Sequence, residues 1–273
     1  MRSTTTLMKN WQFTGPDGKT VTVDLPHTWN NIDGQDGGND YWRGSCTYKT
    51  SFAAPAFDPA AQQVWLQFEG VGDSAKVSLN GTEIANHDGG FSTFRADITA
   101  LLKEQNELTV IADNSKNDFV YPQKADFTFY GGIYRTVSLL VVSKDHIALD
   151  YLGGPGVQIT PTVQGTSADI RVETRVSGEG EVVISVLDAE GREVLAGKGG
   201  DTTLTMEHPH LWDGIRDPYL YTCVVRLMKD GQPVDEVRQR FGVRSFSVDP
   251  KQGFFLNGRP YPLHGVSRHQ DRK

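Results

Sequence analysis

The stretch Gly253-Phe-Phe-Leu-Asn-Gly-Arg-Pro-Tyr-Pro-Leu-His-Gly-Val-Ser-Arg-His-Gln-Asp-Arg-Lys273 decides how the rest of the chain is read. Asn257-Gly258, set between the apolar runs 254–256 and 261–266, favours a two-residue turn with positive φ, so the segment reads as a hairpin followed by a strand. Behind that strand comes a polar cluster: Ser267, Arg268, His269, Gln270 and Asp271. Polar groups at the C-terminal end of a strand are where a (β/α)₈ barrel carries its reactive side chains, and such a barrel takes about 250 residues. Only the first of its eight strands fits before Lys273. The expectation is an N-terminal piece of a longer enzyme.

Working back from this tail, short segments of alternating polarity dominate: 20–25, 47–52, 63–69, 75–79, 107–113, 134–142, 168–176, 181–187, 219–227 and 236–242. Gly, Asn, Asp or Pro bounds each of them, and Asn80-Gly81, Glu190-Gly191 and Asp230-Gly231 mark turns. The pattern predicts an all-β protein. Residues 98–103 carry the only helical suggestion, too short for an architectural element. A boundary falls at 143–156, where an apolar strand gives way to Tyr151-Leu-Gly-Gly-Pro-Gly156. The expected domains are a jelly-roll sandwich over 1–143, an immunoglobulin-like sandwich over 144–244 that lacks a Cys…Trp…Cys pattern, and the start of the barrel over 245–273.

Composition narrows the function classes. With 273 residues, 37% hydrophobic and 22% charged, the chain is long enough and apolar enough for buried cores. Its net charge is −7 and its Lys and Arg are scattered, so neither nucleic acid nor an anionic membrane finds an electrostatic footprint. Cys46 and Cys223 stand far apart, which predicts buried free thiols rather than a zinc site or a disulfide framework. The N-terminus has no apolar core of about 7–15 residues, and a cytoplasmic location is the expectation.

Several local motifs occur in a consistent order. The first region contains Pro26-His-Thr-Trp-Asn30, Asp36-Gly-Gly-Asn-Asp-Tyr-Trp-Arg-Gly44, His87-Asp-Gly-Gly-Phe91 and Gly131-Gly-Ile-Tyr-Arg135. The second contains Pro209-His-Leu-Trp-Asp213, Pro218-Tyr-Leu-Tyr221 and Phe241-Gly-Val-Arg244, leading into Leu263-His-Gly-Val-Ser-Arg-His269. Together with the order of sandwich, immunoglobulin-like domain and barrel strand, these resemble glycoside hydrolase family 2, most closely its β-galactosidases. The resemblance implies a retaining enzyme acting on terminal β-galactosides. Its two catalytic glutamates would lie on later barrel strands, beyond Lys273, so this chain alone is expected to be inactive.

Retention takes two carboxyl groups about 5–5.5 Å apart, and no acidic pair in the sequence earns that role. The resemblance implies a sugar-site role for His269, whose neutral imidazole can donate to a hydroxyl; the alternative is an exposed tail histidine. Arg268 would orient carboxylates through its planar fork, or form a surface ion pair. Asp126, nine residues before Arg135, has the family's spacing for an aspartate that contacts galactose hydroxyls and ligates a monovalent cation. A carboxylate suits both tasks, although an Asx-type loop contact also explains it. Phe127, Phe129 and Tyr130 read as sugar-stacking or, more simply, core residues. The segment containing Asp36, Tyr41 and Trp42 reads as a sugar-contacting loop or as scaffold, while Trp29, Trp65 and Trp212 read as core.

The resemblance implies no cofactor within these residues, with Mg and Na or K in the full enzyme. β-Glucuronidase and β-mannosidase are the alternatives within the family. A stand-alone carbohydrate-binding module and a structural role in a homo-oligomer are the alternatives outside enzymes, because fold alone does not fix function.

Overall fold

The computed structural model describes residues 1–31, 41–122, 124 and 127–267, and among them the regular structure is β apart from one 3₁₀ turn at Thr99–Leu101. The chain divides into two compact units, Ser3–Val142 and a second that joins Met1–Arg2 to Ser143–Ser267.

The first unit is built from two sheets. One has the strand order Ser3–Thr6, Val137–Ser143, Gln62–Phe68, Phe94–Asp97. The other runs Thr20–Val23, Trp11–Thr14, Ser45–Ala53, Gln105–Asp113, Ser74–Leu79, Thr82–Asp88. The period-2 pattern explains the layering: Val64, Leu66 and Phe68 point inward from one strand, and Tyr48, Val77, Leu108 and Val110 point inward from others, all buried. Each fully buried Val, Leu or Phe side chain contributes about 1.5–3 kcal/mol. Phe68 and Phe94 stack at 5.0 Å between adjacent strands.

The turn at Asn80-Gly81 forms as its residues dictate, with φ of 52° and 84°. A Cβ on Gly81 would meet nothing within 4 Å, so the dihedral and not the space calls for glycine. Asn80 then braces its surroundings, its side chain donating to Leu101 O and accepting from Glu107 N.

In the second unit a three-stranded sheet, Val157–Gln164, Ser167–Thr174, Asp201–Glu207, is accompanied by a four-stranded sheet, Glu193–Lys198, Glu181–Leu187, Tyr221–Lys229, Gln232–Phe241. Ile170, Ile184, Cys223 and Val225 are fully buried in one core cluster with Tyr221 and Phe241. Beneath it lies an ion pair without a signature in the sequence. The Arg2 guanidinium donates to both oxygens of Asp235 at 2.8 and 2.6 Å, and Ile147 N and Glu236 N donate to the same carboxylate. Asp235 is fully buried.

Both cysteines are free and buried, as the sequence implies. Burial pushes each thiol up to about 12, with Asp113 adding to the effect at Cys46. Two expectations change, and one holds. Residues 98–103 make only the 3₁₀ turn, too short for an architectural element as their length implies, because a single turn has too few hydrogen bonds to propagate. Trp65 and Trp212 are half-buried rather than core: Trp65 sits on the outward face of its strand, and the Arg244 guanidinium lies 4.7 Å from the Trp212 ring. The tail forms its hairpin, Gly253–Leu256 with Arg259–Pro260, beside Phe246–Asp249, but residues 261–266 form no strand. A strand needs a continuing ladder of hydrogen bonds; Tyr261 N still donates to Phe254 O at 2.9 Å, but no strand pairing continues over 262–266 among the described residues, and Leu263 and Val266 are exposed.

Candidate functional site

Asp126, Arg268, His269 and residues 36–40 lie outside the described residues, as do Gln270 and Asp271. What the structure gives is the ground on which two of these candidate loops stand. Residues 30 and 42–44 flank the first loop, and residues 127–132 follow the second.

Two asparagines join them. The Asn30 side-chain oxygen accepts from Gly131 N at 2.9 Å and from the Asn114 side-chain amide at 3.0 Å, and the Asn30 amide donates to Trp42 O at 2.9 Å. Asn114 donates from the same amide to Phe129 O at 2.7 Å and accepts from Gly44 N at 2.9 Å through its side-chain oxygen. Its backbone oxygen accepts from Arg43 Nε at 2.6 Å. Thr28 Oγ1 donates to Gly131 O at 2.7 Å. Asn30 and Asn114 are buried at 1% and 0% exposure, where an unmade amide hydrogen bond would be costly. Asparagine suits such a node because one side chain supplies both donors and an acceptor.

Close backbone approach completes the node. A Cβ on Gly131 would lie 1.9 Å from Trp29 Cζ2, so only glycine lets the chain cross the indole there. Trp29 stacks in turn on Phe13 at 6.1 Å and meets Trp42 edge-on at 6.0 Å.

Arg43 provides the electrostatic side. Its guanidinium lies over the Phe129 ring at 4.6 Å and 3.9 Å from Asp73. Burial pushes the Asp73 carboxyl above its ordinary value; Arg43 pulls it back and Asp113 adds to the rise. Burial acts the same way on Asp113, yet hydrogen bonds from Ser115 and Ser45 hold that carboxyl below the usual range. Tyr134, pushed up to about 12 by burial, donates to Gly90 O at 2.6 Å.

Of the three aromatic candidates, Phe129 is buried, Tyr130 is half-buried and Phe127 is 43% exposed, its ring 5.3 Å from Phe129. No group of three His, Cys, Asp or Glu is placed to hold a metal ion among the described residues, and no described helix is long and apolar enough to cross a membrane. The chemistry here is positional: hydrogen bonds and a cation hold two loop bases together. Asn30 closes a motif that the sequence reading singled out, and Arg43 lies in another. Asn114 carries no local signal, since its role depends on groups 84 residues away.

Comparison with known proteins gives the family of both units. Residues 34–129 match the glycosyl hydrolase 2 galactose-binding domain-like family, and residues 155–244 match glycosyl hydrolases family 2. A β-glucuronidase of Bacteroides fragilis is 38% identical over 289 aligned positions, covering 97% of this chain and 41% of that protein. The β-galactosidase BoGH2A of Bacteroides ovatus is 33% identical, covering 93% and 32%. The crystal structure of an FMN-binding β-glucuronidase from Faecalibacterium prausnitzii L2-6 superposes with a TM-score of 0.94 at 39% identity, covering 99% of this chain and 44% of that one. The chain therefore spans less than half the length of each of these relatives.

Proposed function

Because the chain belongs to glycoside hydrolase family 2, we propose that it is the N-terminal region of a retaining exo-β-glycosidase whose substrates are terminal β-glucuronides. In this reading the catalytic carboxyl pair belongs to barrel strands that follow in the full enzyme, and the present residues shape and line the sugar site. The single observation that carries the reading is the Asn30–Asn114 node, which binds the bases of both candidate sugar-site loops into one unit. A glycosidase needs such rigidity because interactions aimed at the transition state lose their worth when their supports shift.

Within this proposal His269 donates to a sugar hydroxyl, Asp126 accepts from hydroxyls and holds a monovalent cation, and Arg268 positions neighbouring carboxylates. Mg would be held by barrel residues. The enzyme works in the cytoplasm, as a homo-oligomer.

β-Glucuronides are preferred over β-galactosides because the β-glucuronidase relative has the higher identity of the two, 38% against 33%. The nine-residue spacing from Asp126 to Arg135, with the Bacteroides ovatus relative, supports β-galactosides as the second reading. The test uses nitrophenyl β-glucuronide and nitrophenyl β-galactoside on the 273-residue chain and on the full-length enzyme. Expected are no turnover by the chain alone and faster turnover of the glucuronide by the full enzyme. Faster turnover of the galactoside would replace the first reading with the second, and hydrolysis by the chain alone would remove both.

A further inference from the structure

The second unit carries a cleft of about 380 Å³ between two edge strands, Val157–Gln164 of the three-stranded sheet and Gln232–Phe241 of the four-stranded sheet. Its floor is apolar, with Val157 and Phe241 buried and Ile159 half-buried. Its wall is not. Tyr151, Gln158, Arg175, Gln239 and Arg240 all line it, and the Arg175 guanidinium lies 5.2 Å from the centroid of the Tyr151 ring, which is 40% exposed.

The charges there are unequal. Neither Arg175 nor Arg240 has an ion-pair partner within 4 Å among the described residues. Glu173, the one carboxylate that lines the cleft, is taken by Arg171 at 3.1 Å, and Asp201, which feels the charge of Arg175, is held by the same Arg171 at 2.7 Å. Charged side chains do guard sheet edges against aberrant pairing, and Arg240 on its edge strand fits that explanation. It does not account for a concave apolar floor, an arginine laid over a tyrosine from a separate loop, and two amides beside them. An apolar floor with a few convergent polar groups is the usual form of a small-molecule site, and a volume of this size suits one sugar ring.

We propose that this cleft is a second carbohydrate site, one that takes an anionic sugar: a single ring bearing a carboxylate or a phosphate. Arg175 and Arg240 meet the anionic group, Gln158 and Gln239 meet hydroxyls, and Tyr151 packs against the ring. The site belongs wholly to the second unit and does not depend on the catalytic reading, so either can fail without the other.

The experiment is an NMR titration of the ¹⁵N-labelled chain with D-glucuronate, glucose 6-phosphate, glucose, acetate and inorganic phosphate. Saturable shifts at Tyr151, Gly156 and Arg240 with one or both anionic sugars are expected, with a Kd on the order of 1 mM, and the stronger of the two identifies the anionic group. Arg240→Gln should weaken binding about tenfold, the effect of losing one charge-assisted hydrogen bond. Tyr151→Ala, on an exposed loop, should also weaken it while the remaining spectrum stays unchanged, which keeps the test open if the arginine variant misfolds. Equal response to glucose, equal response to acetate or inorganic phosphate, or no saturation by any probe would each overturn the proposal.

Discussion

Arg2 and Asp235, 233 positions apart, close a two-pronged ion pair inside the second unit at 2.8 and 2.6 Å. Asp235 has no exposure and takes backbone hydrogen bonds from Ile147 and Glu236 as well, so its charge is compensated only while Arg2 stays in place. Removing one partner of a buried pair leaves the other charge stranded, at a cost of about 3–5 kcal/mol. Arg2→Met should therefore destabilise the second unit by that order, read as a lowered urea midpoint. A loss below about 1 kcal/mol, the range of surface pairs, would show that water reaches the carboxylate.

Asn114→Ala removes the donor and acceptor that the node needs most. Strand positions are retained, but Gly44 N, Phe129 O and the Asn30 side-chain oxygen each lose a partner. A cost of about 2–3 kcal/mol to the first unit is expected. In the full enzyme the same change should raise KM more than it lowers kcat. An unchanged KM would separate the node from the substrate loops.

Two histidines of the first unit contribute to its response to acid. Burial holds His27 and His87 below the ordinary histidine value of 6.5, with Gly89 and Asp88 opposing it at His87. His27 shares a hydrogen bond of 2.7 Å with Tyr48 OH. Since the unfolded chain takes up these protons more readily than the folded one, their contribution to stability is complete above pH 6.5 and declines as pH falls below it. Thermal unfolding at pH 7.5 and 5.5 should show a lower midpoint at the acid end, and His27→Gln should flatten the difference. A flat profile in the wild-type chain would mean that both rings are hydrated.

Phe246, Val248, Leu263 and Val266 are 67%, 71%, 71% and 96% exposed. Four large apolar side chains open to water along one short stretch favour association. Sedimentation of the 273-residue chain at tens of micromolar should show concentration-dependent dimers or larger species, and replacing Phe246 and Val248 with Ser should reduce them. A single monomeric species in the wild-type chain would refute the expectation.

Much of the architecture was legible because it is written in local rules. Alternation along residues 63–69 placed Val64, Leu66 and Phe68 on the inner face, and Asn80-Gly81 announced its own turn. Local rules also explain the errors. Residues 261–266 have strand-like composition, but pairing is a property of neighbours and not of composition. Trp65 and Trp212 are large and apolar, yet each meets a polar partner on the outside: the Trp65 indole N–H donates to Gln63 Oε1 at 3.4 Å, and the Arg244 guanidinium lies over the Trp212 ring. The Arg2–Asp235 pair and Asn114 depend on contacts across long separations, which no periodicity records.

The asparagine node has a consequence for how such proteins diversify. It closes the two loops at their feet, so the sandwich registers the position of residues 30, 42–44 and 129–131 but not what is strung between them. Insertions, deletions or wholesale exchange beyond that collar should leave the strand register intact, since lengthening a loop whose ends are already fixed adds only a slowly growing entropic term. A chain built in this way separates inheritance from novelty, keeping its fold while its loops vary.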